Sequence, residues 1–250
     1  MNHGWSAAGL LLIGSALVVP LVVYRLAVSE VGPGWPARYR ACWAGGLGVL
    51  GVGVLLPGHG FTHQVLSHLL VGMVAPLLLA LGRPVRLALR ALPVARARTL
   101  VRLLRSLPLR TLGNPAIAAL LNVGALWLLW TTPYADHPLV HVHMLLAGYL
   151  FTAAILGTHP RPAGFRFRAA VLVAASAGHG ILAKYLYARS PGAEPGALLL
   201  YYGGDAVDLV LAVLFCRAWF RTLSPRRSAV PATGRRSCGS PPAPRSPSCR

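Results

Sequence analysis

The sequence predicts an all-α protein that crosses a lipid bilayer about seven times, with its N-terminus outside and its C-terminus cytoplasmic. Two observations carry that prediction: successive apolar runs of spanning length, and loops that alternate between basic and uncharged. Of the 250 residues 55% are hydrophobic and 12% charged, and the mean hydropathy is +0.59. A helix needs roughly 17–25 apolar residues to cross a bilayer, and runs of that order fall at about 7–28, 40–57, 63–82, 115–132, 139–157, 169–188 and 197–219. None alternates in polarity with the period of two that barrel strands require. Backbone groups in hydrocarbon are then satisfied within helices.

The loops set the orientation. The residues before the first run carry no Lys or Arg, and the first loop carries Arg38 and Arg40, with Arg25 just inside the helix end. The second loop, Pro57–Thr62, has none, whereas the third holds Arg83, Arg86, Arg90, Arg96, Arg98, Arg102, Arg105 and Arg110. The fourth is again bare, the fifth has Arg161, Arg166 and Arg168, and the sixth has only Arg189. Eight more arginines occupy the last helix end and the tail. Basic loops on alternate sides are the positive-inside pattern. The net charge of +19 thus encodes orientation and contact with anionic lipid, and nucleic acid is excluded as a partner.

The first run lacks a basic leader and is longer than a signal-peptide core, so it is expected to stay in the mature chain. One lysine, Lys184, among 24 basic residues, together with abundant Ala, Gly and Pro, points to a GC-rich bacterial source. Within the third loop Leu100, Leu103, Leu104 and Leu107 fall at helical spacing, with Arg98, Arg102 and Arg105 opposite. That pattern predicts a short amphipathic helix on the cytoplasmic membrane surface, inside a basic loop spanning 83–114. Asn114-Pro115 reads as cap and first-turn proline of the fourth span, and Asp136 or His137 does the same before Pro138. Residues 1–222 make one transmembrane domain. The Ser/Pro/Arg-rich tail 223–250 has no apolar periodicity and is expected to be disordered and cytoplasmic. No soluble catalytic domain and no internal repeat is evident.

Chemistry concentrates on histidine. The run His137-Pro-Leu-Val-His141-Val-His143-Met144 opens the fifth span with three imidazoles in seven residues. Depth along the spans places His3, His59, His63 and His137 at the outer surface, His68, His141 and His143 in the outer half, and His179 near mid-membrane. His159 alone is cytoplasmic. Such an array in a membrane marks a metal, a haem or a proton path. His141 and His143 point to nearly opposite sides of a helix, so one ion cannot take both without a break in the helix. A lone buried imidazole is costly without a partner, which singles out His68 and His179. Asp205 and Asp208 are neighbours at i,i+3 behind Gly203-Gly204, a pair that permits close helix approach or a kink. Lys184 is a candidate ion-pair partner for them. Imidazole with the thioether of Met144 suits copper, and imidazole with carboxylate suits zinc or iron. The cysteines Cys42, Cys216, Cys238 and Cys249 form no CxxC pair and fall on the inner side, so neither a disulfide framework nor an outward thiolate site is expected.

From about Gly58 to Phe220 the chain resembles the CtaG-type cytochrome c oxidase assembly factors, bacterial multi-span membrane proteins. The resemblance is carried by His68-Leu-Leu-Val-Gly-Met-Val-Ala-Pro76 through Gly82-Arg-Pro84, by Thr132-Pro-Tyr134, by His141-Val-His143-Met-Leu-Leu-Ala-Gly148-Tyr149, and by His179 with Tyr202-Gly-Gly-Asp205. It implies a non-enzymatic role in maturing a haem-copper oxidase at the bacterial plasma membrane. The implied partners are oxidase subunits and a periplasmic or extracellular copper chaperone. His68, His141, His143 and His179, assisted by Met144 or Asp205, would then form a transient copper site opening outward. One departure stands out: the family pattern has a histidine four residues before His68, and this chain has Gln64 there. Two rival readings remain. One is a haem protein with His68 and His179 as axial ligands; the other is a proton- or ion-coupled transporter using Asp205, Asp208 and Lys184.

Overall fold

In the computed structural model, which describes residues 7–131, 138–158, 162–189, 192 and 194–223, every regular element is helical. Helix α1 runs Ala7–Val31 and α2 Ala37–Leu55. Helix α3 comprises Phe61–His68, a π-helical stretch Leu69–Val74 and Ala75–Leu81. Three short helices follow, α4 Pro84–Ala91, α5 Val94–Leu104 and α6 Leu107–Leu112. Helix α7 comprises Pro115–Ala119, a second π-helical stretch Leu120–Gly124 and Ala125–Thr131. Helices α8 Pro138–Leu156, α9 Phe165–Arg189 and α10 Glu194–Leu223 complete the bundle.

Among the described residues five stretches are long and apolar enough to cross a membrane: Gly9–Val31, Phe61–Ala91, Leu139–Leu156, Phe165–Arg189 and Glu194–Arg221. Of the other two expected spans, Pro115–Trp130 forms a shorter apolar helix. The other, α2, has 19 residues and carries Arg38 and Arg40 in its first turn.

Helix α3 is the axis of the bundle, with α2, α8 and α10 packed around it and α9 lying along α10. Two apolar clusters fill the interior. One joins Leu77, Ala118, Phe151, Ile155, Leu172, Ala175 and Phe215; the other joins Val65, Leu69, Leu126, Leu182, Ala183 and Leu200. On α9 the boundary between them falls between Ala175 and Leu182, where His179 sits. A third, smaller cluster ties α1 to the arginine-bearing end. Tyr24 stacks on Trp43 at 4.8 Å, and its hydroxyl donates to the Gly82 carbonyl at 2.8 Å while accepting from Trp35 Nε1 at 3.0 Å.

Local chemistry explains several boundaries. Asn114 caps α7, its Oδ1 accepting from the Ala116 N–H at 2.9 Å, as the Asn-Pro pair predicts. The expected cap at Asp136 or His137 lies outside the described residues, as do His3, His159 and the tail from 224 on. The short amphipathic helix expected in the third loop is present as α5, which carries Leu100, Leu103 and Leu104. Leu107 and Arg105 fall beyond its end, and two further helices flank it. Pro84, Pro93 and Pro108 divide the loop into α4, α5 and α6, because proline starts helices readily but cannot continue them. No residue of α5 or α6 is buried.

Candidate functional site

His68 is the last residue before the π stretch of α3, and Gly72 lies one turn further on. A π turn takes in an extra residue and widens the helix, a device frequent at functional sites. A Cβ on Gly72 would stand 3.0 Å from His68 Nδ1 and 3.6 Å from the Cβ of Met144. Glycine here therefore leaves room for the imidazole, and it sets Met144 of α8 beside that space. On the opposite wall, His179 of α9 lies directly against Gly204 of α10, where a Cβ would overlap the ring. Gly203 does the same service for Leu69, whose Cδ1 would be 2.7 Å from a Cβ. The Gly203-Gly204 pair thus permits close approach to both α3 and α9, as small residues do in membrane bundles.

The two imidazoles face each other with ring centroids 6.1 Å apart and planes inclined by 27°. Trp130 of α7 sets its ring edge-on to His68 at 5.4 Å. His68 is 3% exposed and His179 4%, and none of their four ring nitrogens has a hydrogen-bond partner. An unsatisfied buried polar group costs about 1–3 kcal/mol, so two such side chains in one layer are a standing expense of the fold. They are also four lone-pair or N–H sites directed at nothing in the protein.

The remaining sequence-predicted residues do not join this pair. His141 Nε2 lies 3.3 Å from Ser67 Oγ. The Ser67 hydroxyl itself donates to the Gly53 carbonyl at 2.8 Å, so it accepts from the imidazole. His143 turns the other way and donates to the Leu121 carbonyl, in the π stretch of α7, at 3.1 Å. The opposite bearings expected of these two histidines are therefore observed. Met144 presents its Cβ to Gly72. His63 donates to the Leu56 carbonyl at 2.9 Å, and His59 is exposed. Among the described residues no group of three or more His, Cys, Asp or Glu side chains is arranged to hold a metal ion. The candidate site is accordingly a buried histidine pair, with the Cβ of Met144 beside Gly72 next to it.

Asp205 and Asp208 lie mainly to one side of this layer, with Asp205 next to Gly204 and within electrostatic reach of His179. With Lys184, Ser176 and Tyr201 they line a groove of about 600 Å³ between α9 and α10. Ser176 interacts with the Asp208 carboxylate. Lys184 holds its ammonium 5.2 Å from the centre of the Tyr201 ring, so its contact is a cation–π one rather than the expected ion pair.

Ser67, Gly72 and Trp130 were not singled out by the sequence. Glycine one turn after a histidine is a usable signal for a ring that must be accommodated, whereas Trp130 reaches His68 only through the packing of α7.

The fold and this layer define a class: a helical membrane protein whose interior holds paired imidazoles and a nearby methionine. Residues 20–222 match the family described as cytochrome c oxidase caa3 assembly factor (Caa3_CtaG), and the chain belongs to that family. It is also similar to uncharacterized proteins of Mycobacterium bovis and Mycobacterium tuberculosis, each 34% identical over 174 residues, covering 60% of this chain and 26% of the relative. An uncharacterized protein of Mycobacterium leprae is 32% identical over a stretch of the same length. The chain spans about a quarter of the length of these curated relatives. No solved structure matches.

Proposed function

We propose that this protein is a non-catalytic assembly factor of a haem-copper cytochrome c oxidase in a bacterial plasma membrane, and that it handles Cu(I) as cargo at His68 and His179. In this reading α2 and α7 are also spans, which gives seven crossings with the N-terminus outside. The observation that carries the proposal is the pair of buried rings 6.1 Å apart with all four nitrogens unsatisfied. A cargo ion held between the rings would give one nitrogen of each a partner and offset part of their desolvation. Imidazole and thioether are ligands that suit copper, and a site without thiolates binds in a form open to exchange. His141, held at Ser67 beside His68 in sequence, is the next donor toward the histidine-bearing end. A copper chaperone on the outer face would deliver the ion there, and the oxidase subunits would receive it. Gly72 against one ring and Gly204 against the other favour a bare ion over a haem macrocycle.

The test is anaerobic Cu(I) titration of the full chain in detergent against a chromogenic chelator, with elemental mass spectrometry and a visible spectrum. His68→Gln and His179→Gln are each expected to lose at least about tenfold in affinity, an effect of roughly 1.4 kcal/mol, while His59→Gln binds as the parent does. No Cu(I) uptake, or uptake indifferent to both substitutions, overturns the copper reading. A Soret band moves the protein to the haem class. In cells lacking the protein, oxidase activity restored by the parent but not by His68→Gln links the pair to assembly.

A further inference from the structure

The groove between α9 and α10 has no place in copper handling, and it opens sideways from the bundle. On α9 it is lined by Val173, Ala177 and Ile181, all exposed, and on α10 by the exposed Asp205 and Leu209 with half-buried Asp208 between them. At 1.5 Å per residue the two carboxylates stand about 17 and 21 Å from the Glu194 end of α10. That helix is one of the five able to span the membrane, so these positions fall near its middle. Hydrocarbon offers a carboxylate no donor, and such residues almost always face protein or a water-filled cavity. Here Asp205 faces outward, and Asp208, half-buried, reaches Ser176 of α9 at the groove's inner edge. Among the described residues that line the groove the one cation, Lys184, is on Tyr201 nearer the helix ends, and two acids against one base leave that lining negative. Its floor on α9 is formed by Ser176, Ala177 and Gly180, small residues of the kind that let another helix backbone come close.

We propose that this groove is a docking site for a transmembrane helix of another protein that bears a basic side chain at mid-bilayer depth. The small floor seats the helix, the apolar rim covers its flanks, and Asp205 and Asp208 pair with its cation. The groove adjoins His179 through Gly204 and Asp205, but the test below reads helix association and not copper, so the proposal stands or falls without the copper reading.

The test uses the labelled full chain in phosphatidylcholine vesicles and a synthetic Leu/Ala helix of about 23 residues with one arginine at its midpoint. Association is read by fluorescence energy transfer and compared with the same peptide carrying leucine there. The arginine peptide is expected to bind at least about five-fold more tightly. The Asp205→Asn/Asp208→Asn variant should erase that preference. Should that variant fail to keep its helical circular dichroism, Ala177→Trp keeps both carboxylates and fills the floor, and it is expected to weaken binding of both peptides. Val210→Trp, exposed on α10 outside the groove, should bind as the parent does. Equal binding of the two peptides, or a preference that survives loss of the carboxylates, overturns the proposal. So does displacement of the peptide by a second copy of this chain, which would make the groove a homodimer interface. Displacement by dodecyltrimethylammonium at matching concentration would assign the groove to a small lipophilic cation and equally overturns it.

Discussion

Substituting Gly148 by alanine probes the contact that holds α8 on α3. In an unobstructed helix the change is stabilising, since glycine costs about 1 kcal/mol relative to alanine. At Gly148 the new Cβ would collide with the Gly72 carbonyl oxygen and stand 3.0 Å from Pro76 Cγ. Neither obstacle is a side-chain end that can swing away: one is backbone, the other a proline ring. Overpacking of a tight interior costs about 1–3 kcal/mol, and backbone obstruction puts this case toward the upper end. The net expectation is a loss of about 1–2 kcal/mol after the propensity gain. Gly48 on α2 serves as the control, because no atom lies within 4 Å of its Cβ position. Gly48→Ala should gain up to about 1 kcal/mol, so the two variants separate by some 2–3 kcal/mol. The assay is reversible unfolding in mixed micelles of rising SDS fraction, followed by circular dichroism. Gly148→Ala as stable as Gly48→Ala would refute the inference that α8 seats directly on backbone.

Two further substitutions address carbonyls that depend on side chains. Gly53 lies in the last turn of α2 and its i+4 residue is Pro57, which has no N–H, so the Ser67 hydroxyl supplies the missing donor. Ser67→Ala should cost about 1–3 kcal/mol by the same unfolding assay, and a change below about 0.5 kcal/mol would show that water or another group serves Gly53. Tyr24→Phe strips partners from both the Gly82 carbonyl and the Trp35 indole. It should lose about 2 kcal/mol and quicken proteolysis between α1 and α2, and unchanged cleavage would argue that α1 is held by apolar packing alone.

What the sequence disclosed, and what it withheld, follows the range of the forces involved. Asn114 caps α7 and His141 and His143 diverge as read, because both are properties of one or two turns of chain. The apolar runs marked the long helices for the same reason, since mean hydropathy over a span is local. The need of His68 and His179 for partners was also legible from the cost of burying an imidazole. That each would be the other's neighbour was not, because the meeting depends on Gly72 and Gly204 lying opposite rings on different helices. A gathering of four histidines with Asp205 was expected and is not what the packing produces. Ser67 and Leu121 take His141 and His143, and Asp205 lies in the groove of α10. The two π stretches gave no signal either, since Leu69–Val74 and Leu120–Gly124 read as ordinary apolar helix and only their neighbours favour the wider turn.

Those two stretches share a neighbour in α8, which meets α3 through Gly148 on the Gly72 carbonyl and α7 through His143 on the Leu121 carbonyl. Two different faces of α8 thus meet peptide oxygens that belong to widened turns, while Phe151 and Ile155 further along it pack into the core. Mutational drift is then limited by volume where α8 meets α3 and by residue identity where His143 reaches α7. Position 148 favours glycine because backbone stands against it, and position 72 because the His68 ring does. Leu69 and Val71 of the first π stretch are held by burial, whereas exposed Leu120 of the second is free to change.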